Sequence, residues 1–115
     1  MKKSFVAGVE RVAAWADLLD AINVFPIADG DTGRNLTVSL SPLRLAGEDK
    51  DGVLRKLLLA ARGNSGNIAS RYFSAFCALE SPGSLKAAAH EANACAWSAV
   101  ADPRRGTMLS VFEAL

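Results

Sequence analysis

Two aspartates separated by a single glycine are the residues of this chain best suited to chemistry. Asp29 and Asp31 flank Gly30 in a segment that also contains a proline and a second glycine. Carboxylates one residue apart can turn toward a common point and offer the hard oxygen ligands that Mg²⁺ and Ca²⁺ prefer. The spacing predicts a divalent-cation site in the loop at residues 23–33, although a helix-capping turn uses the same residue types.

The helix that follows this loop predicts a phosphate site beside the cation. It is expected to cover residues 35–43, and its first N–H groups have no acceptor within the helix. Together with Thr32 and Asn35, these groups suit phosphate oxygens. A calcium loop of the EF-hand type is excluded, because its sixth position is Arg34 rather than glycine and its twelfth is Leu40 rather than glutamate.

A second segment has the composition of an anion-binding turn. Gly63 and Gly66 flank Asn64 and Ser65 at the predicted start of another helix. Glycines let backbone amides approach an anion closely. No lysine follows these glycines, so the segment is not a P-loop. Taken alone, it is more typical of a turn between two helices.

The elements that must position these loops are helices. Apolar residues recur every three or four positions along most of the chain, which is the spacing of amphipathic helices. The fold class is therefore predicted to be all-α, an antiparallel arrangement of about six helices. Ser84 and Thr107 are predicted N-caps. The predicted helices cover residues 5–22, 35–43, 53–61, 65–79, 85–101 and 107–115.

Composition limits the kinds of partner. Thirteen basic and twelve acidic residues give a formal charge of +1, so neither nucleic acid nor a membrane is an expected partner. The uncharged stretches, such as residues 92–101, are shorter than the roughly 20 residues that span a bilayer. Cys77 and Cys95 are predicted to be buried thiols of a cytoplasmic protein. Trp15 and Trp97 are predicted to anchor the core.

Together, the two loops and a third segment resemble the ATP-binding domain of dihydroxyacetone kinases. Residues 23–35, which read Asn-Val-Phe-Pro before Asp-Gly-Asp-Thr-Gly, are similar to the signature of that family. The closest branch contains the fatty acid kinase ATP-binding subunit. Residues 61–66 resemble the second motif of that branch, and residues 99–109 resemble its third. Three motifs in the family's order over nearly the whole chain argue against a chance match.

This resemblance implies a fold, a cofactor set and an assignment of residues. The family fold is an antiparallel barrel of eight amphipathic helices with ATP or ADP at one end, and this chain would supply about six of them. Mg²⁺ would be held by Asp29 and Asp31. Asn23 lies near the position where the dihydroxyacetone-kinase branch has a third aspartate, which leaves one or two metal ions open. The residues expected to bind the nucleotide are Thr32, Asn35, Gly63, Asn64, Ser65, Gly66, Thr107 and Met108, the last two against the adenine.

The reaction implied by the resemblance is phosphoryl transfer by positioning and charge neutralisation. No general base or other catalytic residue is identified in the chain. In this family a partner subunit or domain carries the acceptor, which is dihydroxyacetone in one branch and a fatty acid in the other. The sequence leaves the acceptor open. The alternative function is a catalytically silent helical module that retains the fold.

The family domain is longer than this chain, so residues 1–115 are expected to form a C-terminally truncated domain. A fragment of a longer protein, a naturally truncated gene product and a compact member that completes its barrel by association all fit this expectation. An open barrel exposes an apolar seam, which would favour a homodimer. Activity is expected only if the domain is complete or assembled with a partner.

Overall fold

The computed structural model describes residues 2–23, 30–45, 50–78 and 85–114. Within these ranges the chain is all-α, as the sequence predicts. The metal candidate Asp29 and the predicted N-cap Ser84 lie outside the described residues. The elements are α1 (Lys2–Ala14), α2 (Ala16–Ala21), α3 (Thr32–Leu40), a 3₁₀-helix (Ser41–Leu45), α4 (Lys50–Ala60), α5 (Gly63–Ala78), α6 (Leu85–Ser98) and α7 (Met108–Ala114).

Helix α5 lies at the centre of the bundle and packs against α3, α4, α6 and α7. Its residues Ile68, Ala69 and Tyr72 are buried. Because α5 contacts four other helices, its position constrains the position of each of them. Other buried apolar residues of the core include Val9, Leu36, Leu40, Leu43, Val53, Leu57, Ala92, Ala96, Leu109 and Phe112.

Aromatic contacts tie both ends of the chain to α5. The Tyr72 ring stacks on Phe112 of α7 with 4.0 Å between ring centroids. Phe5 of α1 meets Phe73 edge to face at a centroid distance of 6.1 Å. Such pairs stabilise a fold by about 0.5–1.5 kcal/mol beyond their buried area. Burial also raises the pKa of the Tyr72 phenol above its ordinary value.

The first predicted helix is divided at Trp15, which has φ −101° and ψ 7°. Its backbone still bonds in a helical pattern, from Trp15 N–H to Arg11 O at 3.1 Å, so the division is a kink. After the kink, the α2 backbone at Ala16 lies directly against Gly33 of α3, where a Cβ would overlap the Ala16 carbonyl. Trp15 is 57% exposed, so its predicted role as a core anchor is wrong. Trp97 does pack against the core.

Alanines at four-residue spacing bring α6 close to α5. Ala88, Ala92 and Ala96 are buried and leave room for close helix packing. This register turns Cys95 outward, so its predicted burial is wrong, whereas Cys77 is half-buried against the core. Neither cysteine forms a disulfide bond within the part of the chain that the structure describes. Among the described helices, none is long and apolar enough to cross a membrane.

Truncating a core leucine of α4 tests this packing. Leu57 is 0% exposed, so Leu57→Ala should lower the free energy of unfolding by about 2–5 kcal/mol. Leu59 is two residues away and 71% exposed, and Leu59→Ala should change the same quantity by less than about 0.5 kcal/mol. Urea unfolding followed by circular dichroism measures both. Similar losses in the two variants would contradict the assigned orientation of α4.

Candidate functional site

The predicted cation loop enters α3 through Asp31, the residue immediately before the helix. The Asp31 N–H donates to the side-chain oxygen of Asn23 at 3.3 Å, and the Asp31 carbonyl accepts the Asn35 N–H at 2.9 Å. Gly30 adopts a φ of +67°, a turn conformation that favours glycine. The Asp31 side chain makes no capping hydrogen bond. Asp31 therefore occupies the cap position of α3 without using its carboxylate as the cap.

The carboxylate that caps α3 belongs to Asp20 in α2. One oxygen of Asp20 accepts the Gly33 N–H at 2.8 Å and the Arg34 N–H at 3.2 Å. Its other oxygen lies 3.9 Å from the Arg34 Nε. The expectation that the first amides of α3 are unoccupied and suit phosphate is therefore wrong for Gly33 and Arg34. Sequence reasoning missed Asp20, because a cap thirteen residues away has no local spacing pattern.

The first and second motifs meet where α3 packs against the start of α5. Gly63 has a φ of +67°, and a Cβ there would overlap the Asn35 side-chain amide. One turn further along, a Cβ at Gly66 would overlap the hydroxyl of Ser39. Ser39 is fully buried, and its hydroxyl accepts the Arg62 N–H at 2.8 Å. The close helix contact therefore requires a glycine at position 66, whereas the positive φ favours one at position 63.

The third motif forms the N-terminal cap of α7, as the sequence predicts for Thr107. The Thr107 hydroxyl accepts the Leu109 N–H at 3.3 Å and donates to the Arg104 carbonyl at 2.7 Å. The Gly106 N–H donates to the Ser110 hydroxyl at 2.8 Å, which closes the same turn. Met108 is half-buried and packs against the core. The Thr107 hydroxyl is thus committed to holding the turn.

A cavity of about 370 Å³ joins the second motif to the third. It lies between the start of α5, which supplies Asn64 and Ile68, and the turn from α6 to α7, which supplies Val100 and Thr107. Asn64 is exposed, while Ile68 is buried. The lining also contains the ion-paired side chains of Asp102 and Arg104, so the cavity has charged, polar and apolar parts.

The sequence-predicted residues that the structure describes gather at one end of the bundle. Asn35 contacts Gly63, and Asn64 shares a cavity with Thr107. Thr32 and Ser65 are half-buried in the first turns of α3 and α5. Within the ranges that the structure describes, no three acidic, histidine or cysteine side chains are grouped as metal ligands. Asp31 is the only one of the paired aspartates that falls within them.

A larger cavity among the described residues lies elsewhere, at the far end of α5. This apolar groove of about 870 Å³ is lined by residues that include Phe76, Leu85, His90 and Phe112. Phe76 lies near the C-terminal end of α5, whereas Gly63 begins that helix. The groove is therefore distinct from the end of the bundle where the three motifs meet.

Comparisons with known proteins identify similar but longer chains. No protein-family model matches the chain. It is 36% identical over 121 residues to uncharacterized proteins from Staphylococcus aureus strains USA300, NCTC 8325 and COL. The match includes 92% of this chain but 22% of each relative, so the chain spans about a fifth of the length of the relatives it matches.

Adding a methyl group at Gly66 tests the contact between the motifs. Gly66→Ala should lower the free energy of unfolding by about 1–3 kcal/mol, because the new Cβ overlaps the buried Ser39 hydroxyl. Gly8→Ala is the matched control, since nothing lies within 4 Å of a Cβ at that helical position. The control should raise stability by about 0.5–1 kcal/mol. Urea unfolding measures both changes, and a neutral or stabilising Gly66→Ala would contradict the close contact.

Proposed function

We propose that this chain is the ATP- and Mg²⁺-binding domain of a dihydroxyacetone-kinase-like phosphotransferase. The observation that carries the proposal is the meeting of three sequence motifs at one end of the bundle. Asn35 of the first lies against Gly63 of the second, and Asn64 shares a cavity with Thr107 of the third. Helix packing alone does not require chemically distinctive segments to converge in this way.

In the proposed site, the first turn of α5 binds the phosphates. Amides at the start of a helix favour an anion, and the partial positive charge of the helix dipole adds to this. The corresponding amides of Gly33 and Arg34 in α3 already bind the carboxylate of Asp20. Gly63, with its positive φ, begins α5 beside Asn35. The proposal therefore assigns the phosphates to residues 63–66, with Asn35 and Thr32 beside them.

Mg²⁺ is assigned to Asp31 and Asp29. The donor chemistry of Asp31 fits, because a carboxylate is a hard ligand and this one makes no capping hydrogen bond. When bound, Mg²⁺ would neutralise charge on the phosphates during transfer. The Asn23 amide oxygen accepts the Asp31 N–H, so Asn23 holds the loop whether or not it also contacts the ion.

The cavity between α5 and the turn before α7 is assigned to the nucleoside. Its volume of about 370 Å³ lies within the range of small-molecule sites, and Ile68, Val100 and Leu109 give it an apolar lining. Thr107 would contribute through van der Waals contact, because its hydroxyl caps α7. Met108 packs on the core beside it and would support the adenine from behind.

The phosphoryl acceptor is assigned to a partner subunit or domain in the cytoplasm. We identify no general base in the chain, and the family resemblance implies that a separate subunit or domain presents the acceptor. Dihydroxyacetone and a fatty acid are the two acceptor classes that the family resemblance offers. The greater length of the S. aureus relatives agrees with a domain that works beside others.

Calorimetric titration of ADP, with and without Mg²⁺, tests the proposal. The folded chain should bind ADP only weakly without the metal, because the phosphates and Asp31 repel each other. Asp29→Ala and Asp31→Ala should each weaken Mg²⁺-dependent binding by about tenfold or more, since a charged ligand is lost. Asp51→Ala removes an exposed carboxylate from α4 and should leave binding unchanged.

Circular dichroism must show that each variant is folded before its affinity is compared. A folded wild-type chain that does not bind ADP at any Mg²⁺ concentration would contradict the proposal. That result would instead support a catalytically silent helical module.

A further inference from the structure

The end of α2 and the residues just after it contact the start of α3 at two points. Two residues beyond the C-terminal end of α2, the Asn23 side-chain oxygen accepts the backbone N–H of Asp31. Three residues earlier, Asp20 binds the N–H groups of Gly33 and Arg34. The backbone on both sides of the Asp31 carboxylate is therefore fixed by side chains from the end of the preceding helix.

Asp31 occupies the position from which an aspartate ordinarily caps a helix. A carboxylate at that position accepts N–H bonds from the second and third helical residues, which here are Gly33 and Arg34. These are the two N–H groups that Asp20 occupies. In this structure Asp20 therefore binds the two donors to which a capping Asp31 carboxylate would bond.

We infer that Asp20 is a positioning residue that keeps the Asp31 carboxylate from capping its own helix and so leaves it for the cation. The inference rests on the proposed function and extends it to a residue that has no place among the expected ligands. Without Asp20, Asp31 would turn to the amides of Gly33 and Arg34. A carboxylate bonded to two amides is a poorer Mg²⁺ ligand, because its lone pairs and its charge are already engaged.

The contacts of Asp20 fit positioning better than metal ligation. One oxygen accepts two N–H bonds, and the other lies 3.9 Å from the Arg34 guanidinium. The Asp20 side chain is only 20% exposed, and its bond to the Gly33 N–H is partly buried, whereas its bond to the Arg34 N–H lies at the surface. Asn23, two residues beyond the end of α2, binds the N–H of Asp31. The backbone around Asp31 therefore depends on where α2 ends.

Three substitutions at α2 separate this role from the alternatives. Asp20→Ala removes the acceptor and should weaken Mg²⁺-dependent ADP binding by about 10–100-fold, as loss of an orienting partner does at metal sites. Asp20→Asn keeps an oxygen that can accept both N–H bonds and should stay within about threefold of wild type. Asp17→Asn, on the exposed side of the same helix, should have no effect.

Amide hydrogen exchange gives a readout that does not depend on nucleotide. In Asp20→Ala, the Gly33 and Arg34 amides should remain protected, because Asp31 replaces Asp20 as the cap. In the double variant Asp20→Ala with Asp31→Ala, that protection should be lost. If Asp20→Ala does not fold, Asp20→Ser takes its place, since a hydroxyl there is too short to reach both amides.

Each result that differs from these expectations points to a different explanation. Equal loss of binding in Asp20→Asn and Asp20→Ala would make Asp20 a metal ligand and overturn the inference. Wild-type affinity in Asp20→Ala, or loss of protection in the single variant as large as in the double, would also overturn it. If the wild-type chain does not bind ADP with Mg²⁺, the proposed function fails, and the exchange data alone decide whether the two carboxylates compete.

Discussion

The close approach of α3 and α5 is the constraint on which the rest of the structure depends. A Cβ at Gly63 would overlap the Asn35 side chain, and a Cβ at Gly66 would overlap the Ser39 hydroxyl. The fully buried Ser39 hydroxyl then accepts the Arg62 N–H and fixes where α5 begins. Because α5 is the central helix, its starting point also sets the position of α7 and of the cavity beside Asn64. The packing contact and the proposed phosphate site therefore involve the same two glycines.

Competition for helix N-terminal amides connects this packing to the proposed chemistry. At the start of α3, the N–H groups of Gly33 and Arg34 bind the Asp20 carboxylate, so they are not available to phosphate. At α5 the helix begins on a glycine at positive φ beside an exposed asparagine, Asn64. At the start of α7, the Leu109 N–H donates to the Thr107 hydroxyl. Of the three helix beginnings at this end of the bundle, α5 is the one best suited to an anion.

The all-α fold could be predicted from apolar spacing, since local periodicity is what makes a helix amphipathic. The Thr107 cap could be predicted as well, because cap and amide lie two residues apart. The kink at Trp15 and the cap from Asp20 could not, as both arise where α2 meets α3 across a loop. Cys95 shows a smaller failure of the same kind, because its exposure depends on which face of α6 meets α5. The residue types expected to bind the nucleotide could be chosen from the sequence. The structure adds that several of these residues lie close together. Nucleotide binding itself stays a prediction.

Residue-resolved chemical-shift mapping of the ¹⁵N-labelled chain, titrated with ADP and Mg²⁺, would show whether the three motifs form one nucleotide site. Such a site predicts shifts at residues 63–66, at Asp31 and at Thr107, three regions that are distant in sequence but lie at one end of the bundle. Shifts confined to the groove around Phe76, His90 and Phe112, or no shifts at all at saturating ligand, would contradict it.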